Sequence, residues 1–309
     1  MMFKKSVQKF SGKICEVEIG AGEKAIKLGG ENVLPFYGFD GEVGNTAKVG
    51  MEISDDLAEW PQLLKDFYKD VCGDPVAWAK HVEEKYAPDF ICLKLDSSDP
   101  NGQDKPVEEC AKVAKAVAEA IKLPLVISGT GTHDKDAKLL EKVAAELDGH
   151  NVLLLAAVED NYKTIAAAGA MAYSHKVGAE SAVDINLAKQ MNILINQLGV
   201  ANDKIIDNVG CAAAGYGYEY VVSTLDRIRL AALGQDDKTL QVPIITPVSF
   251  ETWKVKESID ADAWEDQEGR GIAMEVSTAA GVLTGGSNAV ILRHPKSVET
   301  IKKFISELA

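Results

Sequence analysis

A polar residue or pair recurs wherever an apolar, β-branched run of this chain breaks off, and these are the groups best placed to do chemistry. They are Glu52 and Ser54, Asp96-Ser97-Ser98, Ser128-Gly129-Thr130-Gly131, Glu159-Asp160-Asn161, Ser174 and Lys176, Asp207-Asn208, Thr246-Pro247 and Arg293-His294. The set is dominated by neutral hydroxyls and amides. It holds no close His/Cys/carboxylate grouping with the spacing of a metal site, and no serine in a Gly-x-Ser-x-Gly elbow. A large ligand rich in hydrogen-bonding groups suits such a set better than attack by a single nucleophile.

Several members carry alternatives. Lys94 and Lys176 raise Schiff-base chemistry, because a buried lysine of lowered pKa attacks carbonyls. Lys94 alternates with Ile91, Leu93 and Leu95, so it points inward, and an internal ion pair with Glu52 on the neighbouring strand is the preferred reading. Gly129-Thr130-Gly131-Thr132 precedes Asp134 of a helix, where successive N–H groups either hold an anionic or amide oxygen or simply make a tight turn. Asp207-Asn208 suits an amide-rich ligand and suits a turn equally. His133 and His294 each sit beside a helix start without an evident second member, which favours surface or capping roles. Gly20-Ala21-Gly22-Glu23-Lys24-Ala25 fits a dinucleotide fingerprint, but Ile26-Lys27-Leu28 continues as strand where a helix is required.

The runs that must position these groups are Val49–Ile53, Phe90–Asp96, Pro124–Ser128, Asn151–Val158, Met171–Val177, Lys204–Asp207, Val242–Thr246 and Ala289–Arg293. Continuous apolar runs read as parallel strands covered by helices on the outside. Eight of them, each followed by a helix-like segment, predict a closed (β/α)8 TIM barrel, whose working groups lie at the carboxyl ends of the strands. Helical stripes include Val107, Cys110/Ala111, Ala114, Val117/Ala118 and Ile121, and later Val298, Ile301, Phe304/Ile305 and Leu308. Asp74-Pro75, Pro106 and Pro295 mark helix starts.

Before the barrel, Cys15, Val17 and Ile19 alternate with acids, Gly20-Ala21-Gly22 turns, and Ile26 and Leu28 resume the pattern. This predicts a β-hairpin that plugs the amino-terminal end of the barrel, followed by a loop from Gly38 to Gly50. Residues 1–48 are accordingly an extension and 49–309 the barrel. Two βα connections exceed the usual two to six residues. The first, Ser54 to Gly73, carries Trp60, Phe67 and Tyr68. The second, Pro247 to Gly269, carries Phe250, Trp253 and Trp264 among Asp260, Asp262, Glu265, Asp266 and Glu268. Aromatic anchors there predict a docking surface, with lids packed on their own barrel as the alternative.

At 309 residues, 46% hydrophobic and 26% charged, the composition fits one large α/β domain. A net charge of −14 argues against nucleic acid or an anionic membrane as partner. Five scattered cysteines, with no Cys-x-x-Cys, read as reduced buried thiols and not as a cluster site. Lys4, Lys5 and Lys9 are followed by no apolar run of signal-peptide length, and nothing approaches a membrane span. These features predict a cytoplasmic protein.

With those residues in place, the chain resembles the small (delta) subunit of the corrinoid/iron–sulfur protein of the acetyl-CoA synthase/CO dehydrogenase pathway. The segments that carry the resemblance are Ile91 through Gly102, Leu125 through Gly131, Asp207-Asn208-Val209-Gly210 and the stretch from Gly29-Gly30 to Phe36-Tyr37. The resemblance covers essentially the whole chain. It implies a barrel related to pterin-binding methyltransferases, paired with a large subunit that carries the cobalamin domain and a [4Fe-4S] cluster, with the corrinoid at the mouth of this barrel. It further implies transient encounters with a methyltetrahydrofolate methyltransferase, acetyl-CoA synthase and a reductive activator. The Asp-x-His-x-x-Gly cobalamin anchor is missing here, as expected if that domain lies on the other subunit.

On this reading the chain is a non-catalytic partner barrel that helps hold and shield cobalamin during methyl transfer. A corrinoid presents many neutral amides, and burying one unpaired costs roughly 1–3 kcal/mol. The groups expected to meet them are Ser98, Asn101, Gly129, Thr130, Asp160, Asn161, Asn208 and Thr246. The enzyme alternative is a pterin-dependent methyltransferase that binds pterin with Asp96, Asp207 and Asn208, and a lysine-dependent aldolase rests on Lys94 and Lys176 alone.

Overall fold

A computed structural model describes residues 6–262, 264 and 266–308. Lys4, Lys5 and Glu265 lie outside the described residues. The chain enters as an antiparallel hairpin, β1 (Val17–Ile19) and β2 (Ile26–Leu28), joined by a short turn of 3-10 helix over Gly22–Lys24. Eight parallel strands follow: β3 (Lys48–Ser54), β4 (Phe90–Lys94), β5 (Leu125–Ser128), β6 (Leu153–Ala157), β7 (Lys176–Glu180), β8 (Ile205–Asn208), β9 (Ile244–Thr246) and β10 (Ala289–Leu292). They close in sequence order, β10 pairing with both β3 and β9. The eight-stranded TIM barrel expected from the apolar runs is therefore the observed fold.

The main outer helices are α1 (Pro75–Tyr86), α2 (Val107–Ala120), α3 (His133–Glu146), α4 (Ile185–Gln197), α5 (Tyr218–Gly234), α6 (Gln267–Gly285) and α7 (Pro295–Leu308). Their starts follow local chemistry. Asp74 caps α1 by accepting the Val76 N–H at 2.9 Å, with Pro75 in the first turn, where its missing N–H costs nothing. In α7 the spacing of Val298, Ile301 and Ile305 puts all three on the buried face. Each such side chain contributes about 1.5–3 kcal/mol of burial.

Strand alternation divides the apolar residues into two layers. Ile91, Leu93, Ile127, Leu154 and Val177 pack outward under the helices. Phe90, Cys92, Val126, Leu153, Leu155, Ile206, Ile245, Ala289 and Ile291 fill the barrel interior, and Val17, Ile19 and Leu28 of the hairpin join them. The hairpin is thus a plug, tied to the base of β6 by Gly20 N–H to Asn151 O (2.8 Å) and Asn151 Nδ2 to the carbonyls of Glu18 and Gly20. At Gly50 an added Cβ would overlap the Phe90 ring, so the plugged end requires glycine there. The loop after Gly38 ends earlier than expected, because β3 begins at Lys48.

One strand is shifted from its expected place. Met171–Val177 was the expected fifth barrel strand, yet Ala166–Ala172 is wound as a π-helical continuation of Tyr162–Ile165, and β7 starts at Lys176. Alanine favours helix and the segment has no β-branched residue, so the apolar run carries no strand preference. Ser174 takes a left-handed conformation. Buried His175 then accepts the Val152 N–H at Nδ1 (3.2 Å) and reaches Ala144 O from Nε2 (2.9 Å), which locks the turn. The shift moves Lys176 from the mouth to the foot of the barrel and brings Glu180 to the mouth.

Candidate functional site at the barrel mouth

Inward-facing positions at the carboxyl ends of β4, β5, β7 and β8, namely Lys94, Ser128, Glu180 and Asn208, converge on a cavity of about 260 Å³. Gly129, Thr130, His133, Asp136, Asn161 and Phe250 complete much of its wall. Asn208 donates from Nδ2 to Glu180 Oε2 at 3.1 Å and accepts the Gly210 N–H at 3.0 Å, so its amide is fixed in orientation. Burial pushes the Glu180 carboxyl up; His133 opposes this and Asp136 adds to it. Lys94 pairs with Asp96 at 2.5 Å and lies 5.4 Å from the centre of the Phe250 ring, while Ser54 donates to the other Asp96 oxygen at 2.8 Å.

The Gly129–Gly131 turn is already occupied by the protein's own carboxylate. The N–H groups of Thr130 and Gly131 donate to the two oxygens of Asp136, both at 2.8 Å, and the Thr130 hydroxyl adds a third bond at 3.1 Å. A Cβ on Gly129 would lie 2.5 Å from that carboxyl, so this close approach requires glycine. Burial raises the Asp136 pKa against the pull of these donors. The turn therefore serves as a rigid edge of the cavity and does not offer open amides to a ligand.

Of the eight residues expected to meet a ligand, Gly129, Thr130, Asn161 and Asn208 line this cavity. Asn161 accepts the Val158 N–H at 2.8 Å. Asp160 is exposed on the rim, 3.0 Å from His133 Nδ1, so His133 has the second member that its sequence context did not suggest. Asn101 is exposed and closes an Asx turn on Asp99. Ser98 is buried and donates to Leu95 O. Thr246 follows the inward Ile245, so alternation turns it outward, where it bonds Ser287 at 2.9 Å.

Other expectations are corrected by the same geometry. Lys94 does not pair with Glu52. Glu52 is buried and held by Arg293 through two bonds of 2.8 and 2.9 Å, with Ser249 donating at 2.5 Å and Trp60 beneath the guanidinium at 4.4 Å. Asp207 faces the outer helix layer and cannot serve a ligand at the mouth. His294 is a capping residue: Nδ1 accepts the Lys296 N–H, and Nε2 lies 3.0 Å from Glu268. Trp60 and Trp253 are buried as parts of lids on their own barrel, whereas Trp264 stays exposed beside the Arg270 guanidinium. All five cysteines are free thiols, Cys92 and Cys110 buried and the others half-buried.

The mouth is less neutral than the sequence suggested, because Glu180 and Asp136 were missed. The apolar Val177-Gly178-Ala179 followed by Glu180-Ser181 was the available signal for the first. Asp136 sits inside a helix and gave none. Among the described residues there is no group of three or more His, Cys, Asp or Glu able to hold a metal, and no helix is long and apolar enough to cross a membrane.

Comparison with known proteins fits this architecture. Residues 16–299 match the family model of the CO dehydrogenase/acetyl-CoA synthase delta subunit. The acetyl-CoA decarbonylase/synthase complex subunit delta 2 of Methanosarcina acetivorans is 34% identical over 296 residues, covering 94% of this chain and 67% of that protein. Subunit delta of Archaeoglobus fulgidus is 31% identical over 316 residues, covering 97% and 70%. Among solved structures, Xanthomonas albilineans dihydropteroate synthase with 4-aminobenzoic acid superposes with a TM-score of 0.57 at 13% identity, covering 95% of this chain and 98% of that one. At that identity the likeness is one of fold alone.

Proposed function

The chain belongs to the CO dehydrogenase/acetyl-CoA synthase delta-subunit family, and from that premise we propose that it is a subunit of a multiprotein complex whose barrel mouth caps a corrinoid carried by a partner subunit. The observation that supports this reading is the polar top layer of the barrel, Lys94, Ser128, Glu180 and Asn208, around a cavity of about 260 Å³. Pockets that enclose a drug-sized ligand run from about 300 to 1,000 Å³. The cavity is therefore too small to swallow a corrin macrocycle, and the residues fit a cofactor laid across the mouth with one polar side group reaching in. Its groups are pinned by internal bonds before any ligand arrives, so binding orders few side chains.

Bound corrinoid supplies a cobalt centre able to accept and pass on a methyl group. The chain's part is to bind and to exclude water. The Asn208 amide, with one of its two Nδ2 hydrogens bonded to Glu180, is positioned to offer the other to a neutral amide, and Asn161 holds the rim by bonding the Val158 N–H and, from Nδ2, the His133 carbonyl. Glu180, whose carboxyl burial pushes up, adds an acceptor beside the Asn208 amide on the same wall. On this reading the [4Fe-4S] cluster resides on the partner subunit, because the free thiols here are scattered. The methyl donor system, acetyl-CoA synthase and a reductive activator are the transient partners. The pterin-dependent methyltransferase alternative keeps Asp96 and Asn208 but loses Asp207.

The test is absorption spectroscopy of the complex assembled from the full chain and its corrinoid-bearing partner. Asn208→Leu is expected to weaken corrinoid retention about tenfold with the melting temperature unchanged. Retention equal to the wild type would overturn the capping role. Robust methyltetrahydrofolate turnover by the isolated chain with free cobalamin would favour the methyltransferase.

A further inference from the structure

One wall of the mouth cavity is fastened from inside the barrel by a buried ion pair. Glu52, on the inner face of β3, and Arg293, just past β10, are 0% and 3% exposed. The guanidinium donates from Nε and Nη2 to the two Glu52 oxygens at 2.9 and 2.8 Å. Ser249, buried in the connection after β9, donates its hydroxyl to Glu52 Oε2 at 2.5 Å, the length of a charge-assisted O–H···O bond. The next residue is Phe250, whose ring packs on the inner barrel layer and lines the cavity 5.4 Å from Lys94 Nζ. Ser249–Thr252 is a four-residue helix. The hydroxyl that meets Glu52 and the ring that meets the cavity therefore belong to one short, rigid piece of chain.

The same pair gathers the other long connection. Trp60 lies on the Arg293 guanidinium at 4.4 Å, and Tyr68 donates its hydroxyl to Arg293 O at 2.8 Å. Glu275 of α6 accepts the Arg293 and His294 N–H groups at 2.6 and 3.2 Å. Two charges taken out of water cost more than their attraction returns unless the geometry is good, and apolar residues of equal volume are often as stable. What a bidentate pair adds is direction, because its two parallel bonds fix the carboxylate plane. Here that plane aims Oε2 at Ser249. The rest of the connection is held without Glu52, by Ser258 Oγ to Thr252 O (2.6 Å) and Gln267 Nε2 to Ser258 O (2.9 Å). The Glu52 bond thus governs the end that carries Phe250.

We propose that Glu52, Arg293 and Ser249 form a buried clasp that positions Phe250 as a fixed wall of the mouth cavity, and so are positioning residues for the corrinoid laid across that mouth. The role in ligand retention rests on the corrinoid reading of the mouth. None of the three lines the cavity, so each acts through Phe250. The clasp also keeps the ring against Lys94, whose ammonium is paired with Asp96 at 2.5 Å. With the ring in place that ion pair is covered on one side by an aromatic face, which favours a nearby cation. With the ring released, the cavity would lose a wall and the ion pair its cover.

The experiment places 4-fluorophenylalanine at position 250 of the full chain and records its fluorine NMR signal, then measures corrinoid retention by absorption after assembly with the corrinoid-bearing partner. One narrow signal is expected for the otherwise wild-type chain. Ser249→Ala is expected to shift or broaden that signal and to weaken retention about tenfold, the effect of losing one hydrogen bond to a buried charge. Ile195→Val, which trims the outer core under α4, is the control for lost stability and should move neither readout. An unmoved fluorine signal in Ser249→Ala overturns the proposal. So does wild-type retention beside a moved signal, or an equal change in Ile195→Val. Asn208→Leu keeps the two readings apart: retention lost there but not in Ser249→Ala removes the clasp and leaves the cap, whereas the reverse leaves the clasp and removes the role of Asn208.

Discussion

Asp207 and Asn208 are adjacent on β8, yet they belong to two different regions of the molecule. Asn208 faces the barrel interior, where its amide donates once to Glu180, accepts once from Gly210 and borders the mouth cavity. Asp207 faces outward, sealed between the barrel and the helices near Arg229 of α5 and Asn192 of α4, and neither of its oxygens has a hydrogen-bond partner. Oδ1 of Asn192 is also unpaired. Burial pushes the Asp207 carboxyl up to about 7, although the neighbouring Asn192 amide and the Arg229 charge pull the other way. Polarity on the inner face at the mouth borders an open cavity, whereas the same polarity one residue away is sealed off and must be offset within the protein.

The comparison breaks most severely at Arg229. This residue serves four oxygen partners in the sealed layer, and removing one member of a buried charged network costs about 3–5 kcal/mol. Arg229→Ala is expected to lose that much in a urea titration, a loss that a variant of the open mouth should not approach. A cost below about 1 kcal/mol would show that the outer layer is not sealed.

Asp207→Asn sharpens the same contrast in the opposite direction. Because the folded pKa is raised to about 7 from an ordinary 3.8, the folded chain keeps a proton that the unfolded chain has released, and stability falls as pH rises from about 4 to about 7. The substitution should stabilise the protein at pH 8 by up to a few kcal/mol, since each tenfold change in proton affinity is worth about 1.4 kcal/mol. That gain should shrink as pH is lowered through 7 and vanish near 4. Melting curves across this range check it, and a gain that does not vary with pH would sink the assignment.

Asn208→Leu should leave stability within about 1 kcal/mol and cost about 1.4 kcal/mol, or tenfold, in corrinoid retention. The smallest effect is expected at the lysines. Lys176 lies at the foot, where burial lowers its pKa, and Lys94 is held by Asp96. Borohydride with small aldehydes or keto acids should trap no specific adduct at either, and Lys176→Ala should change stability by less than about 1 kcal/mol. A stoichiometric reduced adduct, read by mass spectrometry, would restore the Schiff-base alternative.

Much of the fold was legible in the sequence because burial on both faces leaves a periodic mark. Seven of the eight barrel strands lie within a few residues of their apolar runs, and the hairpin announced itself through alternation around Gly20 to Gly22. The fifth barrel strand was misplaced because Ala166–Ala172 is apolar without being β-branched, and apolarity alone does not separate strand from helix. Half of the candidate ligand-facing residues line the cavity. The others follow their runs just as closely, yet Ser98 and Thr246 are spent on internal bonds and Asp160 and Asn101 stand at or beyond the rim.

The sequence by itself determined the class of fold, the order of its strands, the plug and the end of the barrel at which polar groups gather, since each depends on local periodicity and on chirality shared by all such sheets. Only the tertiary structure decided which neighbour answers which charge. Glu52 took Arg293 and left Lys94 to Asp96, and Asp136 reached back from its helix to fill the Gly129–Gly131 turn. Side-chain partners such as Glu52 and Arg293, 241 residues apart, are chosen by strand register and packing, and a one-residue change of face reverses the choice. No periodicity along the chain names such partners; alternation alone puts Asp207 and Asn208 on opposite faces, and the closed barrel decides that it is Asn208 that meets the cavity.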